Sequence, residues 1–155
     1  MPIPWKLRTV NILMVDDDAE DCSLVKSIFN DGGHGHDFQH VENVDQLMDY
    51  LHRRGNYTGR TKSLFPSLIL LDINLPTKSG WEALDEIKRN IDLRRIPVVI
   101  LTTSSSPDDV QLSYDRGAAS YITKPSRYQD WKSAMDTLDT YWFSTVRLPD
   151  ADKKD

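Results

Sequence analysis

Short apolar runs alternate with amphipathic stretches from one end of the chain to the other. The run from Val10 to Val15 is rich in β-branched and aliphatic residues and stops at Asp16, Asp17 and Asp18. A helical pattern follows, with Leu24, Val25, Ile28 and Phe29 at 3.6-residue spacing, and fades at Asp31, Gly32 and Gly33. Phe38 to Val41 reads as a second strand. Asn43 is placed as the N-cap of a helix with Val44, Leu47, Met48 and Leu51 on one face. Arg53 to Pro66 is polar, basic and glycine-containing, a surface loop. Leu68 to Leu71 is a fully apolar run ending at Asp72, and a loop through Pro76 and Gly80 leads to a helix bearing Trp81, Leu84, Ile87 and Ile91. Pro97 to Leu101 is a fourth buried strand, running into Thr102 and Thr103. Ser106, Pro107, Asp108 and Asp109 combine a cap, a first-turn proline and acids at the positive end of a helix that stops at Gly117. Ala119 to Thr123 is a fifth strand, followed by Lys124 and Pro125. The last helix runs from about Tyr128 past Trp142, with Trp131, Met135, Leu138 and Trp142 on one stripe.

Apolar strands alternating with amphipathic helices imply an α/β fold, a parallel sheet covered on both faces. Right-handed crossovers bring every strand's carboxyl end to one edge, where such folds bind ligands. Asp16, Asp17, Asp72, Thr102 and Lys124 therefore meet there although distant in sequence. Grouped carboxylates repel one another unless a cation lies among them, and hard oxygen ligands of this kind suit Mg²⁺. A lysine and a threonine beside them can hold phosphoryl oxygens, and Asp72, at the end of the most apolar run, is the natural covalent acceptor.

Composition narrows the class. With 155 residues, 24 acidic and 19 basic, the chain carries a net charge of −5, which disfavours a nucleic-acid backbone as partner. The lone Cys22 excludes an internal disulfide and fits a reducing compartment, and beside acids its thiolate is discouraged. No run approaches the roughly 18 apolar residues of a membrane span, and the first residues lack the core of a signal peptide. The expected setting is the cytoplasm, with one domain over 8–149, an extension over 1–7 and a charged, disordered tail over 150–155.

Asp16 and Asp17, Asp72 in its Leu-Asp-Ile-Asn-Leu-Pro setting, Thr102 after Val-Ile-Leu, and Lys124-Pro125 after Tyr-Ile-Thr together resemble the receiver domain of two-component response regulators. The loop from Arg53 to Pro66, the Leu-Thr-Thr-Ser run and the ending from Tyr141 to Pro149 are similar to single-domain regulators paired with phytochrome-type histidine kinases. The resemblance implies a flavodoxin-like, doubly wound sandwich of five parallel strands in the order 2-1-3-4-5 and five helices. It implies Asp72 as phosphoacceptor, and Mg²⁺ held by the side chains of Asp17 and Asp72, the carbonyl of Asn74 and, through water, Asp16. Thr102 and Lys124 take phosphoryl oxygens, Tyr121 is the switch residue coupled to Thr102, and the Lys124–Pro125 bond is cis.

Each residue has a plainer reading. Asp18 is assigned to capping, Ser104 to Ser106 to the loop and cap, and His34, His36, His40 and His52 to solvated surface. Tyr141, Trp142 and Phe143 are consecutive and cannot all face inward, so an outward ring near the chain's end is expected to serve a homodimer. A phosphatase of the haloacid dehalogenase type needs a second acid two residues after its nucleophile, where this chain has Asn74. A flavodoxin-like cofactor binder needs a phosphate-cradling loop where three carboxylates stand. The expected function is a phosphoacceptor signalling protein, not an enzyme acting on a separate substrate. It would be phosphorylated on Asp72 by a sensor histidine kinase and signal through a downstream protein or phosphotransfer partner, with no nucleic acid or membrane. The alternative is a degenerate receiver used only for docking or dimerisation.

Overall fold

The computed structural model of the chain describes residues 10–32, 35–59 and 65–149. The extension expected over 1–7, the tail expected over 150–155, His34 and residues 60–64 of the expected loop lie outside them. Strands β1 (Asn11–Val15), β2 (Asp37–Val41), β3 (Leu68–Leu71), β4 (Val98–Thr102) and β5 (Ser120–Thr123) form one sheet. They alternate with helices α1 (Ala19–Asp31), α2 (Val44–His52), α3 (Gly80–Arg89), α4 (Pro107–Asp115) and α5 (Tyr128–Thr140). Every neighbouring pair is parallel and the order is 2-1-3-4-5, as expected.

The central strands are apolar throughout because both their faces are covered. Ile12, Met14, Leu68, Leu70, Val99 and Leu101 pack against Cys22, Val25 and Phe29 of α1 and Trp131, Met135 and Leu138 of α5. Leu13, Val15, Ile69, Leu71, Val98 and Ile100 face the other way, onto Leu47 and Leu51 of α2 and Ala83, Leu84 and Ile87 of α3. Period-two alternation sorts each strand between two cores, and β2 and β5 are edge strands with less burial.

The helices begin where their caps stand. The Asp18 carboxylate accepts from the amides of Glu20 and Asp21, and Asn43 accepts from Gln46. Ser79 and Glu82 form a reciprocal capping box at α3. Ser106 does not cap α4 through its side chain; the Ser104 hydroxyl accepts the Ser106 amide instead, at 3.3 Å, and Pro107 starts the helix.

Two further expectations need correction. Ile91 does not lie on the inner stripe of α3 but is 65% exposed. Asn90 leaves the helical conformation, and its side chain accepts from the amides of Asp92 and Leu93, so the chain turns and Leu93 takes the inner place. The last helix is α-helical only to Thr140. Tyr141–Thr145 widens into a π turn closed by the Val146 amide on the Tyr141 carbonyl at 2.9 Å. The wider turn seats Phe143 in the core, leaves Trp142 half-buried and sends Tyr141 outward.

Candidate functional site

The strand order reverses between β1 and β3, and the crevice at their carboxyl ends is where such a sheet offers a site. The acids there are fixed by main-chain bonds that continue the ladders. The Asp16 amide donates to the Val41 carbonyl and the Asp72 amide to that of Val15, each at 3.0 Å. Asp16 and Asp72 are buried, whereas Asp17 is exposed. Carboxylate oxygens of these three lie within 4.8 Å of one another, the spacing at which one hard cation can bridge them.

Lys124 arrives from the end of β5, its amide donating to the Thr102 carbonyl at 2.6 Å. The ammonium lies 2.7 Å from Asp16, 2.8 Å from Asp21 and 3.3 Å from Asp72, with the lysine side chain only 6% exposed. The Asp16 oxygen it approaches is buried, and the Lys124 ammonium is the cation that meets it. The chemistry of these oxygen donors fits Mg²⁺. Burial raises the Asp16 carboxyl above its ordinary value, while Lys124 and the Asp18 amide pull it back. Burial by itself would lower the Lys124 ammonium, but Asp16 and Asp21, with the charge of Asp72, outweigh it and hold it above the usual lysine value.

Thr102 is buried, and its hydroxyl oxygen accepts from the Asn74 side-chain amide at 3.3 Å. The Asn74 main-chain amide donates to Asp72 Oδ1 at 2.9 Å, so Asn74 spans the acceptor and the threonine. Tyr121 is half-buried and donates its hydroxyl to the Ser104 carbonyl at 2.8 Å. From Ser104 a chain of bonds runs outward. Its hydroxyl donates to Asp109 at 2.5 Å, the Asp109 carbonyl accepts from Ser113, and the Ser113 hydroxyl accepts from the indole of Trp81 at 3.1 Å. The expected switch residue is thereby linked, through α4, to α3.

Gly80 makes the close approach that this arrangement requires. Its amide donates to the Ile73 carbonyl at 3.0 Å, and a β-carbon there would lie 2.8 Å from Ile73 Cα and closer still to the Asp72 carbonyl. The first turn of α3 thus rests on the backbone that carries Asp72.

The Lys124–Pro125 bond is trans, not cis as the resemblance implied. Trans is the ordinary isomer, favoured by about 0.5–1 kcal/mol before proline, and with it the ammonium already reaches Asp72. The histidines also differ from expectation. His36 Nε2 lies 3.2 Å from Asp139 Oδ1 with a side chain 5% exposed, because the ring fills a place against Phe143 at the end of α5. His40 is half-buried with Nε2 3.2 Å from the Asp16 carbonyl oxygen, and His52 is exposed as expected. Burial, with Asp16, Asp21 and Asp18 adding, pushes the Cys22 thiol up to about 12, which leaves it inert at neutral pH.

Asp21 is the site residue missed in the sequence. It stands in the first turn of α1, a place where an acid is accounted for by the helix dipole, so nothing singled it out. The available signal was geometric: a helix that opens at the carboxyl edge aims its first-turn side chains toward the site.

Residues 12–136 match the response regulator receiver domain family. The response regulator Rcp1 of Synechocystis sp. is 39% identical over 140 residues, covering 90% of this chain and 93% of that protein. Among solved structures, the phosphorylated cyanobacterial phytochrome response regulator RcpA superposes with a TM-score of 0.85 at 36% identity, over 92% of this chain and all of that one. The Mn²⁺-bound form of Rcp1 superposes with a TM-score of 0.83 at 38% identity, over 91% and 99% of the two chains.

Proposed function

The chain belongs to the response regulator receiver domain family, and from that premise we propose that Asp72 is its phosphoacceptor, serving a partner sensor histidine kinase. The observation that carries this reading is the convergence of a buried Asp72, the acids Asp16 and Asp17 and the Lys124 ammonium at one sheet edge. In the transfer, the N–P bond of a phosphohistidine breaks as an Asp72 oxygen forms an O–P bond, and the released imidazole takes up a proton. Asp16, Asp17 and Asp72, with the Asn74 carbonyl, are the residues that would hold Mg²⁺. When bound there, Mg²⁺ supplies positive charge against the phosphoryl oxygens. Lys124 donates to one phosphoryl oxygen, and the Thr102 hydroxyl, which has its own proton to give, donates to another. A reorientation of Thr102 toward the phosphoryl group breaks its bond with Asn74 and frees space for Tyr121 to leave Ser104. The charge on one acid is thus converted into a change of surface at α4, β5 and α5.

The only reaction expected of the chain is the gain and loss of its own phosphoryl group, in the cytoplasm. Likeness to the phytochrome response regulator RcpA supports a phytochrome-type kinase as donor. Output passes to a downstream protein or by phosphorelay. The intact set of acids, threonine and lysine disfavours a receiver kept only for docking. Intact mass after incubation with Mg²⁺ and acetyl phosphate tests the assignment. A gain of about 80 Da that requires both the metal and Asp72 is expected; an adduct that persists in Asp72→Asn would overturn it.

Tyr141 is 50% exposed and stands edge-on to Trp142 at 5.1 Å, which supports homodimerisation through the end of α5 and the segment to Pro149. Light scattering on the phosphorylated protein at micromolar concentration should return a dimer mass, and Tyr141→Ala should shift it toward the monomer. A monomer in both removes the dimer reading.

A further inference from the structure

The Lys124 ammonium has three hydrogens, and three carboxylates among the described residues lie within ion-pair distance of it. Two of them, Asp16 and Asp72, belong to the group whose oxygens are spaced for one cation. The third, Asp21, does not. A cation claiming Asp16 and Asp72 competes with the ammonium for their lone pairs and repels it, so the lysine then needs another anchor or must leave. Its four-carbon stem is flexible and its ammonium strongly hydrated, so an unanchored Lys124 swings to solvent.

We propose that Asp21 is a positioning residue for phosphoryl transfer, holding the Lys124 ammonium beside Asp72 when a metal ion takes the other two carboxylates. The inference rests on the reading of Asp72 as phosphoacceptor. Three features place Asp21 in this role. It is the neighbour of Lys124 that stands outside the cation-spaced group, at 2.8 Å. Its main chain is fixed, because the Asp18 carboxylate accepts the Asp21 amide at 3.1 Å in the cap of α1. Its hold does not withdraw the lysine from the acceptor, since the same nitrogen lies 3.3 Å from Asp72. Asp21 therefore steadies the ammonium at the rim of the pocket, where a phosphoryl oxygen arrives.

Removing the Asp21 charge has two consequences that separate this role from a structural one. Without the metal, Lys124 settles more firmly on Asp16 and Asp72, so Mg²⁺ must displace it and binds more weakly. With saturating Mg²⁺, the untethered ammonium is less often in place, so transfer slows. The full chain is compared as wild type, Asp21→Asn, Asp21→Glu and Glu20→Gln. Glu20→Gln removes a neighbouring, exposed charge from the same first turn of α1. Mg²⁺ affinity is measured by titration calorimetry without any phosphoryl donor, and initial phosphorylation by acetyl phosphate is followed by intact mass.

Asp21→Asn is expected to weaken Mg²⁺ binding and to slow phosphorylation at saturating Mg²⁺, each by about tenfold. Asp21→Glu should recover most of both, and Glu20→Gln should leave both unchanged. Wild-type affinity and rate in Asp21→Asn overturn the proposal, and so does a faster rate, which would mean that Asp21 sequesters the lysine. Equal losses in Glu20→Gln overturn it as well, by assigning the effect to charge at the helix end. If the parent protein takes no phosphoryl group on Asp72, the phosphoacceptor reading fails and the transfer role falls with it. A phosphorylated parent beside an unaffected Asp21→Asn removes only the role of Asp21.

Discussion

Gly80→Ala is expected to lower the melting temperature by roughly 10 °C, from a loss of about 3 kcal/mol. A methyl group at this position meets main chain, not a flexible side chain: Ile73 Cα at 2.8 Å and the carbonyl carbon of Asp72 at 3.0 Å. Relief requires α3 to lift from the end of β3 or the Asp72 backbone to move. Either response breaks the bond from the Gly80 amide to the Ile73 carbonyl and displaces the carboxylate from Lys124. The variant should therefore lose phosphorylation more completely than it loses structure. Melting curves and the mass assay, both taken at a temperature where the variant is folded, separate the two effects. A variant that melts with the wild type and phosphorylates at its rate would show that α3 and β3 are not packed as described.

Lys124→Met should cost about 3–5 kcal/mol in the absence of metal, because it leaves buried carboxylates without their cation. Mg²⁺ can replace the missing charge, so the variant should gain more stability from added Mg²⁺ than the wild type does. The dependence on pH follows from Asp16. Burial already raises its carboxyl, and the Lys124 contact that lowers it is gone in the variant. A group whose folded pKa is raised contributes its stability below the unfolded value and loses it as pH rises through the folded one. The deficit of Lys124→Met should thus be largest at neutral pH and shrink on moving toward the acid range in which Asp16 takes a proton. Urea unfolding at several pH values, with chelator and with Mg²⁺, checks both statements. A deficit that grows toward acid, or one indifferent to Mg²⁺, would place the variant's loss elsewhere than in these carboxylates.

The strands and the principal acids were legible because one physical rule governs both. A strand buried on two faces must be apolar until it reaches an edge, so the residue at which the run stops is the residue delivered to that edge. Asp16, Asp72 and Thr102 are such stops, and Lys124 follows the last strand. What was not legible depends on partners far away in sequence. Asp21 looks like an ordinary first-turn acid until Lys124 is placed beside it, and His36 looks solvated until α5 brings Asp139 to it. Local turns misled for a different reason. Ile91 keeps helical spacing with Ile87, but the Asn90 side chain offers the backbone an alternative to the helix. The turn at Tyr141–Thr145 escaped because a π turn changes the period on which the stripe was counted.

The sheet divides the described tryptophans. Trp81 packs with the α2–α3 core, whereas Trp131 and Trp142 belong to the α1–α5 side. Among the described tryptophans only Trp81 is joined to Tyr121, through Ser113, Asp109 and Ser104. The protein therefore carries an intrinsic optical reporter on the side of the proposed switch residue. Emission from Trp81, isolated as the difference between the wild type and Trp81→Phe, follows α4 without an attached dye. Trp131, in the first turn of α5, and Trp142, in the turn beyond it, lie on the opposite face and belong to that helix and not to α4.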